Sequence, residues 1–132
     1  PGYDYAKVSR GEKRRWAQLM EGYFAQDRDI ALVLSLVDSR HPPTQDDQMM
    51  VRFLVENELP FVVVLTKIDK LSSRQRQERL EAIRGELPWG KQIIFLPFSA
   101  QTGEGREELR ALLDQLEADL LTEDVEGEDE SC

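Results

Sequence analysis

The stretch Val62-Val63-Val64-Leu65-Thr66-Lys67-Ile68-Asp69 decides how this chain is read. Its first half is continuously apolar and rich in β-branched residues, the pattern of a buried strand in a parallel sheet. Its second half delivers a lysine and an aspartate, two positions apart, at the strand's carboxyl end. In open α/β sheets, ligands bind outside the carboxyl ends of the strands. A carboxylate held rigidly there accepts two parallel N–H bonds, a strong and directional arrangement. Guanine presents that pair of donors on one edge and adenine does not. The run therefore predicts a guanine-reading loop.

Working outward, the flanking sequence alternates between strand and helix patterns. Ser9 opens a predicted helix whose apolar face is Trp16, Leu19, Met20, Tyr23 and Phe24, with Arg10, Lys13, Arg14 and Arg15 opposite. Ile30 to Val37 is a nearly continuous apolar run, read as a strand covered on both faces. Asp38-Ser39-Arg40-His41-Pro42-Pro43 breaks it, and Thr44 is a predicted N-cap with Asp46 and Asp47 in the first turn. The helix that follows turns Met49, Met50, Phe53 and Leu54 inward and ends before Pro60. The second strand is Phe61 to Leu65. Ser72 or Ser73 caps another helix with Leu80, Ile83 and Leu87 inside, closed by Pro88-Trp89-Gly90. Ile93 to Phe98 is a third strand, and a last helix carries Leu109, Leu112, Leu113 and Leu116 on one face. Strands alternating with helices imply right-handed crossovers and a parallel sheet.

Composition narrows the class. The 132 residues are 40% apolar and 33% charged, enough for one domain with a real core. No run of about 18 apolar residues occurs, so no membrane span is predicted, and the start shows no signal peptide. Cys132 is the one cysteine, which excludes an internal disulfide framework and a cysteine metal site. A reducing cytoplasm is the expected compartment. The net charge of −9 is concentrated at one end: residues 122–132 hold six acidic residues and no basic ones, and the remainder has 20 acidic and 17 basic, a net of −3. Residues 122–132 are therefore expected to form a disordered, solvated tail, outside the domain formed by residues 1–121.

A second loop follows a strand in the same way as the first. Ser99-Ala100, at the end of the third predicted strand, offers a small residue where a backbone N–H can approach a carbonyl oxygen of the same base. In the first loop, Asp69 accepts from the base edge, the stem of Lys67 lies flat on the ring, and Thr66 braces the turn. Each loop alone is a weak signal. About 30 residues apart, each behind an apolar strand, they reinforce one another.

Thr66-Lys67-Ile68-Asp69 resembles the fourth GTPase motif, and Phe98-Ser99-Ala100 resembles the fifth. Pro1-Gly2-Tyr3 resembles the end of the third, a D-x-P-G-Y-G segment. Tyr5-Ala6-Lys7-Val8 followed by Trp16, and Asp38-Ser39-Arg40-His41-Pro42-Pro43-Thr44, are similar to segments of the EngB (YihA/YsxC) branch of TRAFAC GTPases. This resemblance covers residues 1 to about 120. It implies a three-layer α/β P-loop NTPase fold with a mainly parallel sheet, and a switch that binds GTP or GDP with Mg²⁺ and hydrolyses GTP. It also implies a place in large ribosomal subunit assembly, with ribosomal RNA or an assembly intermediate as partner, and a requirement in cell division and septation; neither membrane nor DNA binding is implied. Thr66, Lys67, Ile68, Asp69, Phe98, Ser99, Ala100, Pro1 and Gly2 are the nucleotide-binding residues it implies. Gly2 would offer its backbone N–H to a γ-phosphate.

The departures from the pattern set what this chain is expected to do alone. No G-x-x-x-x-G-K-[ST] loop, which cradles the phosphates and supplies a lysine and a magnesium-binding hydroxyl, occurs in the sequence. Asp4 stands where the family has its second glycine. The chain therefore reads first as the carboxyl-terminal part of a longer GTPase and second as a short product in itself; on either reading it lacks the first strands and the Mg²⁺ ligands and is expected to be inactive in hydrolysis by itself. The alternative is a non-catalytic module that docks on RNA or protein through the basic residues Lys7, Arg10, Lys13, Arg14 and Arg15. His41 is read as a loop residue ordering the turn beside Asp38 and Arg40, and Met49, Met50 and Trp89 as packing.

Overall fold

The computed structural model describes residues 30–130 and Gln18, with side chains described to residue 122. The expectations for Pro1, Gly2, Asp4, the basic cluster at residues 7–15 and the helix opened by Ser9 lie outside the described residues. Three strands form a parallel sheet in the order β1-β2-β3: β1 is Val33–Asp38, β2 is Phe61–Thr66 and β3 is Phe95–Pro97. Helix α1 spans Gln45–Glu56, α2 spans Ser73–Glu86 and α3 spans Arg106–Glu130.

The register explains the layers. Val33 pairs with Phe61 and Asp38 with Thr66, so the ends of β1 and β2 are level. Side chains alternate across a strand, and Val37, Val63 and Leu65 share one face with Val51 of α1 and with Ile83 and Leu87 from α2 and its cap. That cluster is the main core. Val62 and Val64 point to the opposite face, where Leu109 of α3 borders the same cavity as Val64 and Phe98. The sheet thus lies between α1 and α2 on one side and α3 on the other, the three-layer α/β arrangement expected.

Local sequence sets the helix starts. Thr44 accepts from the Asp47 amide while the Asp47 carboxylate accepts from the Thr44 amide, and Ser72 and Gln75 repeat this reciprocal box at α2. In α1, Val51, Phe53 and Leu54 are buried while Met49 and Met50 are half-buried, so Val51 takes the innermost place expected of the methionines.

Two expectations change. The apolar run Ile30 to Val37 predicts a strand covered on both faces; in the structure pairing starts only at Val33, and Leu34 and Leu36 are 37% and 64% exposed. A continuous apolar run records hydrophobicity, not what covers each face; among the described residues α3 reaches the β2 side of the second face and none of the helices covers the leucines of β1. The other concerns the carboxyl end. Helix α3 runs on to Glu130, through the region where composition sets an unstructured tail from residue 122. Glu and Asp carry no helix-breaking geometry, and no proline interrupts Thr122 to Glu130.

Candidate nucleotide-binding site

The site is built where β2 and β3 end. Past Thr66 the chain makes a left-handed turn at Lys67, with φ 59° and ψ 31°, and enters a single 3₁₀ turn, Ile68–Lys70. A left-handed lysine is uncommon and such conformations concentrate at functional sites. Ile68 is fully buried and anchors the turn, which leaves Asp69 at the surface of a cleft. Thr66 links the turn to β1: its hydroxyl donates to the Val37 carbonyl at 3.3 Å, and its own carbonyl accepts from the Ser39 amide and hydroxyl.

The second loop is stitched to the first. The Phe98 amide donates to the Leu65 carbonyl at 2.8 Å, and the Ile68 amide donates back to the Phe98 carbonyl at 3.1 Å. Ser99 is fully buried, and its Oγ donates to Asp69 Oδ1 at 2.8 Å while accepting from the Thr102 amide at 3.1 Å. The backbone then turns tightly, with Ser99 N donating to the Glu104 carbonyl and Gly103 N donating to the Ser99 carbonyl. Gly105 closes the turn at φ +86°, where a Cβ would sit 2.2 Å from the Pro97 carbonyl oxygen. Only glycine fits there. Ala100 is exposed on the cleft wall, and its amide has no acceptor among the described residues.

The cleft has a volume of about 590 Å³, within the range of small-molecule sites. Leu36, Val64 and Phe98 give it an apolar floor, and Lys67, Asp69 and Ala100 give it convergent polar groups. The seven described residues predicted for the site (Thr66, Lys67, Ile68, Asp69, Phe98, Ser99 and Ala100) therefore meet at one place, five of them on the cleft itself and Ile68 and Ser99 directly behind it. Pro1 and Gly2 lie outside the described residues.

Sequence reasoning missed the part that β1 plays. Because Asp38 is level with Thr66, its carboxylate reaches the rim: Oδ2 is 3.5 Å from Lys67 Nζ and 2.9 Å from Arg40 Nη2, and Oδ1 accepts from the Arg40 amide and Nε. The hydrogen bond from the Arg40 side chain, opposed in part by burial, holds the Asp38 carboxyl well below the usual carboxylate range. Arg79 of α2 ties this loop down by donating to the Ser39 and His41 carbonyls. His41 itself is an exposed loop residue. The signal was the level ends of two neighbouring strands, which appears only once register is known.

Among the described residues, no group of three or more His, Cys, Asp or Glu side chains is placed to hold a metal ion, and no helix is long and apolar enough to cross a membrane.

No protein-family model matches the chain. Curated relatives do. A probable GTP-binding protein EngB of Exiguobacterium sp. strain AT1b is 44% identical over 108 residues, which cover 82% of this chain and 55% of the relative. One from Desulforamulus reducens is 41% identical over 115 residues, 87% of this chain and 56% of the relative. The chain thus spans somewhat more than half the length of the curated relatives it matches. Among solved structures, a probable GTP-binding protein EngB superposes with a TM-score of 0.60 over 84% of this chain and 70% of that one, at 18% identity, a likeness in fold alone. Translation elongation factor SelB from Methanococcus maripaludis, in complex with the GTP analogue GppNHp, superposes with a TM-score of 0.54 at 27% identity, over 65% of this chain and 20% of that one. Fold, motifs and identity agree: this is a P-loop NTPase-type fold, and the chain belongs to the EngB family of GTP-binding proteins.

Proposed function

We propose that this chain is the base-reading half of a GTPase switch, and that it selects guanine through Asp69, Ser99, Ala100 and Lys67. The observation that carries this reading is the 2.8 Å bond from Ser99 Oγ to Asp69 Oδ1, which locks two loops from different strands onto one cleft. A carboxylate offers about four acceptor positions, so Asp69 keeps enough to accept the ring N–H and the exocyclic amine of guanine. The Ala100 amide then faces the guanine carbonyl. Adenine would set an acceptor against the carboxylate and an amine against that amide, so it is refused on both sides. The aliphatic stem of Lys67, held by Asp38 at 3.5 Å, forms the surface on which the base lies.

In the whole protein the reaction is GTP hydrolysis, phosphoryl transfer to water, with the γ-phosphate and Mg²⁺ handled by a P-loop. The P-loop hydroxyl that holds Mg²⁺ in that reaction has no counterpart motif in this sequence. Large-subunit ribosome assembly, a ribosomal RNA partner, a cytoplasmic setting and a requirement in cell division and septation follow from the family resemblance. The basic residues Lys7, Arg10, Lys13, Arg14 and Arg15 suit phosphate contacts that weaken steeply with salt.

Titration with fluorescent GDP and fluorescent ADP tests the reading. The 132 residues should bind GDP weakly and in preference to ADP, lose that preference in Asp69→Ala, and hydrolyse no GTP. Equal binding of both nucleotides, with RNA binding unchanged by Asp69→Ala, supports the non-catalytic module instead. Micromolar affinity with measurable turnover contradicts the assignment of phosphate chemistry to a P-loop.

A further inference from the structure

The two base-reading loops are joined at the cleft by one side-chain bond, and behind it by a second device that does not touch the cleft. Arg76, in the first turn of α2, sends Nη1 and Nη2 to the two carboxylate oxygens of Glu104 at 2.7 and 2.9 Å. The same Nη2 lies 3.5 Å from the Ile68 carbonyl. Each contact falls next to a ligand-facing group. Ile68 immediately precedes Asp69, and the Glu104 carbonyl accepts the Ser99 amide at 2.9 Å. Glu104's own amide is fixed by Thr102 Oγ1 at 3.2 Å. One guanidinium therefore grips the backbone behind Asp69 and, through Glu104, the backbone behind Ser99 and Ala100. Neither Arg76 nor Glu104 borders the cleft.

We infer that Arg76 and Glu104 are a positioning pair that sets the separation of Asp69 from Ser99 and Ala100, and with it the affinity and selectivity for guanine. The inference rests on the guanine reading proposed above. A hydrogen-bonded edge is read by groups held to within about 0.5 Å, and a bidentate guanidinium–carboxylate pair fixes both distance and plane. Arginine's planar fork makes this geometry; a lysine keeps the charge and loses it. Both side chains are partly open to solvent, 33% and 41% exposed, and such pairs contribute little to global stability. Their effect belongs in the site.

The test is a titration of the full chain with GDP and with ADP, read from the amide NMR signals of Asp69, Ser99 and Ala100, alongside thermal melting. Variants are Arg76→Ala, Glu104→Ala, Arg76→Lys and the charge-reversed double variant Arg76→Glu with Glu104→Arg. Either alanine variant should weaken GDP binding by roughly tenfold, the equivalent of about 1.4 kcal/mol. The GDP-to-ADP preference should shrink, the free-protein signals of Asp69 and Ala100 should move, and the melting temperature should stay near wild type. The double reversal should recover part of the preference and Arg76→Lys little of it. Alanine variants with wild-type affinity and preference overturn the inference, as does binding lost only in proportion to unfolding. A wild-type chain with no preference for GDP over ADP overturns the guanine reading and this inference together, and that arm is read before any variant.

Discussion

Asp69 is useful because of what holds it. Its carboxylate takes one bond from buried Ser99 and a distant contact from Lys70 Nζ at 3.9 Å, so its orientation is set before any ligand arrives. Ser99→Ala should therefore weaken guanine binding several-fold, because it removes an orienting hydrogen bond worth about 1 kcal/mol, and it should also lower the melting temperature, because the Thr102 amide loses its acceptor. The check is GDP titration beside a melting curve. Gly105 is a different case. Any side chain there collides with the Pro97 carbonyl and forces a left-handed backbone on a residue that resists it; Gly105→Ala should cost about 1–3 kcal/mol in urea unfolding. At this scale the sequence was legible where a residue sits directly behind an apolar strand, as Asp69, Lys67, Ser99 and Ala100 do. It was silent on the place of Asp38, Arg76 and Glu104 in the site, which comes from neighbours 28 to 29 positions away or from strand register.

The elements were legible in kind and less so in extent. Thr44 and Ser72 were readable as caps because a side-chain acceptor three residues before a reciprocal partner is a local signal, independent of the rest of the fold. Thr44→Ala should lower stability by about 1 kcal/mol, read as a shift in the urea midpoint with unchanged slope. Strand ends were not local. Ile30 to Leu32 look as strand-like as Val33 to Val37, but β2 begins at Phe61, opposite Val33, and supplies no partner before it. At α3, Thr122 to Glu130 continue the helix with acidic residues in the last turn and no basic ones, against the helix dipole. We propose that this segment adds little to the site; deleting residues 122–132 should leave guanine preference and melting temperature unchanged.

At the scale of the molecule, the fold separates two tasks. The face of α1 and α2 holds the continuous core, while the other face leaves Leu34 and Leu36 open beside the cleft. The cleft rim is electrostatic, and this gives the molecule a pH signature. Asp38, its carboxyl held low by the Arg40 hydrogen bond, contributes stability that is fully present above the ordinary aspartate value near 3.9 and is lost as pH falls below it. Asp38→Asn should flatten the decline of stability between about pH 4 and pH 2, measured by urea unfolding across that range. The class of fold was readable from the alternation of strands and helices, and from the sequence alone two loops could be picked out that the fold brings to one cleft. The open leucine face was not, because hydrophobicity along one strand does not report which helix reaches it. The central claim, that Asp69 reads the base edge by accepting two N–H bonds, is tested most directly by Asp69→Asn with xanthosine and guanosine diphosphates. An amide at this position donates one bond and accepts one, matching xanthine, which carries a carbonyl where guanine carries its amine. If Asp69 reads the base in this way, the wild-type chain prefers GDP and Asp69→Asn reverses the preference toward the xanthosine nucleotide. A variant that still prefers GDP, or a wild-type chain indifferent to the two, contradicts it.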